Sequence, residues 1–414
     1  MGQSNPWRRQ SAAALALLTG ALCVPAPAFA DGGGALRTSH RETVAACRYA
    51  EQHGASSARR ACLRVESART LSAAATTSYQ NPIYGSAPDP MAALDGGVDY
   101  YAYHTGGGFP VLHSTDLVNW SQVRNALEAR PSWVVATGDW HPWSPSVIHS
   151  SAPCPGPSSP SPGCYFLYYT GLHGSLSPAT HCVAVAYSAT PAGPFSDLGP
   201  LTGTSGQVDG SGRPPGCGDD LGYSNIDPAP FVNGDGRVYL YVATNRACAQ
   251  ISPGSACPFS PSVSVLALSG DLMHVAGPRT RLFSGVAGSW EQQAGEGPKV
   301  EGPWLEKRSS TYYLFYSGGS YTAAYGMGFA TASSPAGPFK KSNRNPILRE
   351  TTAVKSPGGG SVIKGPHGGD WLIYHGRAGS YDQPRTMRID PLAWNRNGTV
   401  SVKGPTTGLQ SPAP

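Results

Sequence analysis

One short phrase recurs five times along this chain, and it limits the fold more than any other feature. It is an aromatic strand: Val98-Asp-Tyr-Tyr-Ala-Tyr103, Cys164-Tyr-Phe-Leu-Tyr-Tyr169, Arg237-Val-Tyr-Leu-Tyr-Val242, Ser310-Thr-Tyr-Tyr-Leu-Phe-Tyr316 and Asp370-Trp-Leu-Ile-Tyr374. In the first four copies a second strand follows and ends in a Ser-containing turn, and Pro-Ala-Gly-Pro-Phe recurs outright at 191–195 and 335–339. Each copy is preceded by a proline-bearing segment and an apolar strand: Pro88-Asp89-Pro90, Trp143-Ser144-Pro145, Ile226-Asp227-Pro228, Val300-Glu301-Gly302-Pro303 and Ser356-Pro357-Gly358-Gly359-Gly360. Repetition of one unit in one order predicts an all-β fold, a five-bladed β-propeller over residues 79–405, in which each unit buries its faces against its neighbours. A sandwich also has short strands, but it does not repeat a phrase in fixed order.

Composition agrees. There are 52 glycines and 39 prolines in 414 residues and only 13% charged residues, which excludes coiled coils, helical bundles and charge-rich disorder. The net charge of +5 is spread thinly, so the chain lacks the basic clusters that phosphate backbones require, and nucleic acid is not expected as a partner. Past residue 30 no apolar run reaches the length of a membrane span, and a monomer without membrane contact is expected.

Residues 1–30 read as an export signal, with Arg8 and Arg9, an apolar run from Ala12 to Val24, and Ala28-Phe29-Ala30 as a cleavage site. Secretion from a bacterium is the expectation. Eight cysteines remain after cleavage, an even number that suits an oxidising compartment. Neighbouring cysteines bracket loop-like stretches, so the expected pairs are Cys47–Cys62, Cys154–Cys164, Cys182–Cys217 and Cys248–Cys257. Residues 31–78 are an extension with a short helical pattern, and 406–414 are expected as a C-terminal tail.

The first strand of each propeller blade lines the central axis, so equivalent positions form a ring around one mouth of the channel. Asp89, Asp227 and Glu301 are expected at that phase in units one, three and four. Carboxylates gathered in this way can break glycosidic bonds, one protonating the leaving oxygen and one activating water. A third can hold the acid's pKa high by like-charge repulsion. Calcium binding by a carboxylate ring and a non-catalytic sugar-binding propeller stay open as alternatives. No G-x-S-x-G and no zinc-spaced histidine set occurs, and Asn233-Gly-Asp-Gly236 lacks the later ligands of an EF-hand and reads as a hairpin turn.

Together Ala87-Pro-Asp-Pro90, Trp143-Ser-Pro-Ser-Val147, Ile226-Asp-Pro-Ala-Pro-Phe231, Val300-Glu-Gly-Pro303 and Tyr374-His375 resemble glycoside hydrolase family 43, the five-bladed arabinofuranosidases, arabinanases and β-xylosidases. The resemblance implies Asp89 as general base, Glu301 as general acid and Asp227 as the residue that raises the acid's pKa. It also implies inversion at the anomeric carbon, with acid and base roughly 6.5–9.5 Å apart to admit a water. Trp143 matches a sugar-stacking aromatic, with a blade-packing tryptophan as the alternative. Arg385 matches an arginine that holds the sugar and the modulating carboxylate, with Arg388 as competitor on the opposite strand face. His375 matches a histidine that in many members faces the central channel, where it binds water or a structural calcium or sodium ion; an ordinary core histidine is the alternative. No cofactor is implied for the chemistry. The implied substrate is a plant cell-wall arabinan or arabinoxylan, with β-D-xylosides as the alternative. No β-sandwich domain is seen after blade five, which tilts the expectation towards arabinose-containing polymers.

Overall fold

The computed structural model describes residues 77–95, 99–156, 163–177, 180–208, 212–218, 223–246 and 261–414. The segments expected to be an export signal and a helical extension, and the expected pairs Cys47–Cys62 and Cys248–Cys257, lie outside the described residues. Among those described, Cys154–Cys164 and Cys182–Cys217 are bonded as expected.

Five antiparallel sheets are arranged as the blades of a propeller. Blade I comprises Met91–Asp95, Asp99–Tyr103, Pro110–Ser114 and Ser121–Asn125, and blade II comprises Trp143–Ser150, Cys164–Leu172, His181–Ser188 and Ser196–Pro200. Tyr223–Val232, Val238–Arg246, Ser262–Ala267 and Thr280–Ser284 form blade III, and Val300–Arg308, Thr311–Gly319, Tyr325–Ala332 and Lys340–Lys341 form blade IV. Blade V is Val354–Lys364, Asp370–Ala378 and Thr386–Trp394, completed by Tyr84–Ser86 from the other end of the propeller sequence. The repeat showed three strands per unit and the structure has four. The fourth is an outer edge strand whose side chains are largely exposed, as in Ser121–Asn125, so no apolar pattern announces it.

The aromatic phrases are second strands, and they are apolar throughout because each is buried on both faces. In Thr311–Gly319, Tyr312, Leu314 and Tyr316 pack towards blade III, whereas Tyr313 and Phe315 pack towards blade V. All five apolar clusters lie between adjacent blades in this way, so the core is a ring of interfaces.

The ring is closed by hydrogen bonds as well as by strand pairing. Asp390, fully buried, accepts from Tyr374 Oη at 2.5 Å and Thr406 Oγ1 at 2.6 Å, and from Asn81 Nδ2 at 3.3 Å. Residues 406–414, expected as a tail, are part of this closure: Leu409–Gln410 pairs with Tyr79–Gln80, and Ala413 is buried. A two-residue strand has no sequence signature of its own, which is why it escaped notice. Asp390→Ala strands several buried donors and is expected to cost about 3 kcal/mol, each such donor being worth roughly 1–3 kcal/mol. A lowered urea midpoint checks this.

Candidate active site

Each innermost strand begins at, or is broken by, a residue in the left-handed region directly before a proline. The five are Asp89 (φ 50°), Ser144 (φ 44°), Asp227 (φ 54°), Gly302 (φ 56°) and Ser356 (φ 46°). Proline has no N–H to give to the ladder, so the pairing register shifts there in blades II to V, between Trp143 and Ser146, Ile226 and Ala229, Glu301 and Trp304, and Lys355 and Gly358. Non-glycine residues seldom adopt positive φ, and four of them with one glycine at one place in the repeat mark the end of the propeller where the site lies.

This geometry refines one expectation. Asp89 and Asp227 do occupy the same phase, but Glu301 stands one residue earlier, and Gly302 takes the left-handed position in blade IV. The Gly302 N–H instead donates to Asp227 Oδ2 at 3.0 Å, which ties the turn beside Glu301 to blade III. Neighbouring blades are linked by similar bonds: Ser144 N–H to Thr105 Oγ1 (2.9 Å), Asp227 N–H to Thr170 Oγ1 (3.1 Å) and Asp89 N–H to His375 Nδ1 (3.1 Å).

A pocket of about 210 Å³ opens at this end, and its walls include Asp89, Asp227, Glu301, Trp143, Arg385 and Tyr325. The three carboxylates, up to 212 residues apart in sequence, are thereby brought together. Their protonation preferences differ. Burial would raise the pKa of Asp89, but the Arg385 charge, His375 and a 2.7 Å hydrogen bond from Thr105 Oγ1 overcome it and hold the carboxyl well below the usual range. Arg385 Nη1 reaches both Asp89 oxygens, at 3.0 and 3.2 Å.

Asp227 is pushed up to about 7, by burial first and then by the charges of Glu301 and Asp89. Glu301 is also raised, by burial and the Asp89 charge, against the pull of a 2.7 Å hydrogen bond from Tyr325 Oη. Two buried carboxyls facing a third that stays ionised retain a proton between them towards neutral pH.

Of the residues carried over by resemblance, Trp143 lines the pocket with its indole stacked on His141 (4.3 Å) and His181 (4.7 Å). Arg385, and not Arg388, is at the site; Arg388 is buried and donates to the Thr406 carbonyl. His375 is fully buried behind Asp89, outside the pocket wall, and burial lowers its pKa to about 4. Its Nδ1 lies 3.1 Å from the Asp89 backbone nitrogen and 3.3 Å from Asp89 Oδ1, and its Nε2 is buried. Among the described residues no three His, Cys, Asp or Glu side chains gather as a metal site.

Sequence reasoning missed Thr105, Tyr325 and Lys299, which lie in the turn after the second strand of blade I, at the start of the third strand of blade IV and in a long connection, rather than in the proline-bearing phrase. Lys299 lines the pocket at the end of a connection pinned by Glu291, whose buried carboxylate meets Lys341 Nζ at 2.6 Å and Tyr316 Oη at 2.7 Å. The triple glycine of blade V makes room for the site. A Cβ on Gly359 would lie 2.6 Å from Asp89 Oδ1, and one on Gly358 would lie 2.2 Å from Tyr325 Cε1.

Tyr325→Phe removes a hydrogen bond that favours the charged form of Glu301. The pKa of that carboxyl is therefore expected to rise further, carrying the alkaline limb of kcat/KM to higher pH, which a pH–rate profile reads directly.

Comparison with known proteins finds relatives of this chain among the glycosidases. A β-D-galactofuranosidase, xynD of Aspergillus niger, is 27% identical over 78% of this chain and 84% of its own length. An extracellular exo-α-(1→5)-L-arabinofuranosidase, ArbA of Cellvibrio japonicus, is 25% identical over 76% of this chain and 85% of its own. The crystal structure of a thermostable family-43 glycoside hydrolase superposes with a TM-score of 0.63 at 26% identity, spanning 81% of this chain and 99% of that one. The model of the glycosyl hydrolases family 43 matches residues 79–400, and the chain belongs to that family of glycosidases.

Proposed function

We propose that the protein is a secreted, inverting glycosidase that removes α-L-arabinofuranosyl residues from cell-wall arabinan or arabinoxylan. The observation that carries the chemistry is the split among three carboxyls in one pocket, Asp89 held ionised while Asp227 and Glu301 are pushed towards the protonated form. In this reading Glu301 gives its proton to the glycosidic oxygen as the bond from that oxygen to the anomeric carbon breaks. Asp89 takes a proton from a water whose oxygen bonds to the opposite face of that carbon. Asp227 shares the retained proton with Glu301, so that loss of a proton from one holds it on the other, and through Gly302 it fixes the Glu301 turn. Arg385 holds Asp89 in place and Trp143 offers an indole face to the sugar's C–H face.

The furanoside preference is supported by the names of the two relatives above, both of which describe furanosidases. Secretion is supported by the N-terminal pattern, the two disulfides and the extracellular relative. Chromatography of products from linear arabinan, branched arabinan and arabinoxylan tests the substrate, and proton NMR of the first-formed sugar tests inversion. Arabinose released with inverted configuration is expected. Release of xylose alone would replace arabinosides by β-D-xylosides, and no product from any glycan would favour a sugar-binding role.

A further inference from the structure

Past the first sugar, a substrate must lie on the pocket rim, because the carboxylates sit deeper: the Asp89 side chain is 17% exposed, whereas Tyr321, also on the pocket wall, is 45% exposed. Tyr321 is in the turn between Thr311–Gly319 and Tyr325–Ala332 of blade IV. Tyr381, 38% exposed, is in the turn between Asp370–Ala378 and Thr386–Trp394 of blade V, four residues before Arg385. Both turns join a second strand to a third and so stand at the end of the propeller that holds the pocket, with Tyr321 on its wall.

Neither ring is left to wander. The Arg385 guanidinium lies 4.9 Å over the Tyr321 ring. Tyr381 Oη donates to the Glu350 carboxylate, 3.0 and 2.9 Å from its two oxygens, and Lys355 Nζ lies 5.6 Å over the ring. Large exposed aromatics fixed in this way offer a stacking face at small entropy cost. The charges that hold them are themselves paired, Glu350 with Lys355 at 3.4 Å and Arg385 with Asp89 at 3.0 Å. The rim thus presents ring faces and hydroxyls, which suit a neutral sugar chain rather than an acidic one.

We propose that Tyr321 and Tyr381 form a platform for the leaving-group side of the substrate, the neutral polysaccharide that stays behind when the terminal sugar is cut. This rests on the glycan-trimming reading above and adds where the polymer lies.

The test compares kcat/KM on a linear arabino-oligosaccharide with kcat/KM on an aryl α-L-arabinofuranoside, whose leaving group is a single ring rather than a sugar chain. For Tyr381→Ala the ratio of the two is expected to fall about 3- to 10-fold, mainly through KM, and Tyr381→Phe, which keeps the ring, should recover most of it. Tyr321→Ala should lower the same ratio. Equal losses on both substrates, or no loss on either, would overturn the platform. Calorimetric titration of arabinan and of arabinoxylan into Glu301→Gln protein gives a second reading: adding Tyr381→Ala should weaken Kd by a similar factor, and an unchanged Kd overturns the proposal. If the wild type releases no arabinose but Tyr381→Ala still weakens polymer binding, the arabinoside reading fails and the platform stands.

Discussion

Asp89→Asn is expected to lower kcat on an arabinofuranoside by at least ~10²-fold, the scale of losing a general base, with KM changed far less. The amide is nearly the same size as the carboxylate and can still accept from Arg385 and Thr105, so the pocket should survive the change. What disappears is the acceptor for the water's proton. A second consequence follows from charge: Asp89 raises both Asp227 and Glu301, so its neutralisation should shift the alkaline limb of the residual activity to lower pH. Steady-state kinetics across pH with a folded variant would measure both effects. Near-normal turnover would remove Asp89 from the base role.

Glu301→Gln is expected to cost as much on natural substrates, at least ~10²-fold, but the loss should depend on the leaving group. A sugar alkoxide is a poor leaving group and needs the proton; a dinitrophenolate departs as a stable anion and does not. The variant should therefore retain much more of its activity on a dinitrophenyl arabinofuranoside than on arabinan. Equal losses on the two substrates would mean that Glu301 does not serve as the proton donor. Asp227 offers a built-in contrast. Its hydrogen bond from Gly302 gives it a structural task beside its electrostatic one, so its replacement should move the pH profile downwards as well as lower the rate.

The propeller was legible because its interfaces repeat. Tyr312, Tyr313, Leu314, Phe315 and Tyr316 are all apolar because blades III and V press on opposite faces of one strand, and the same pressure acts on each second strand. The outer strands and the Leu409–Gln410 pairing were not legible, since edge strands and two-residue ladders are held by backbone bonds that make little demand on side-chain type. Asp89, Asp227 and Glu301 stood out because each adjoins a proline or glycine at a repeated break. Tyr325 and Thr105 did not, because a tyrosine or threonine at the turn between a second and a third strand looks the same whether it faces a neighbour or a carboxylate.

By itself the sequence determined the number of blades, the strand order within most of each blade and the identity of the three carboxyls, because these follow from local patterns repeated at one phase. Only the tertiary structure decided which carboxyl is ionised, which arginine serves the site and that Glu301 is displaced by one residue. Those depend on groups from different blades meeting within a few ångströms, where burial and neighbouring charge set the protonation, and no spacing along the chain encodes that meeting.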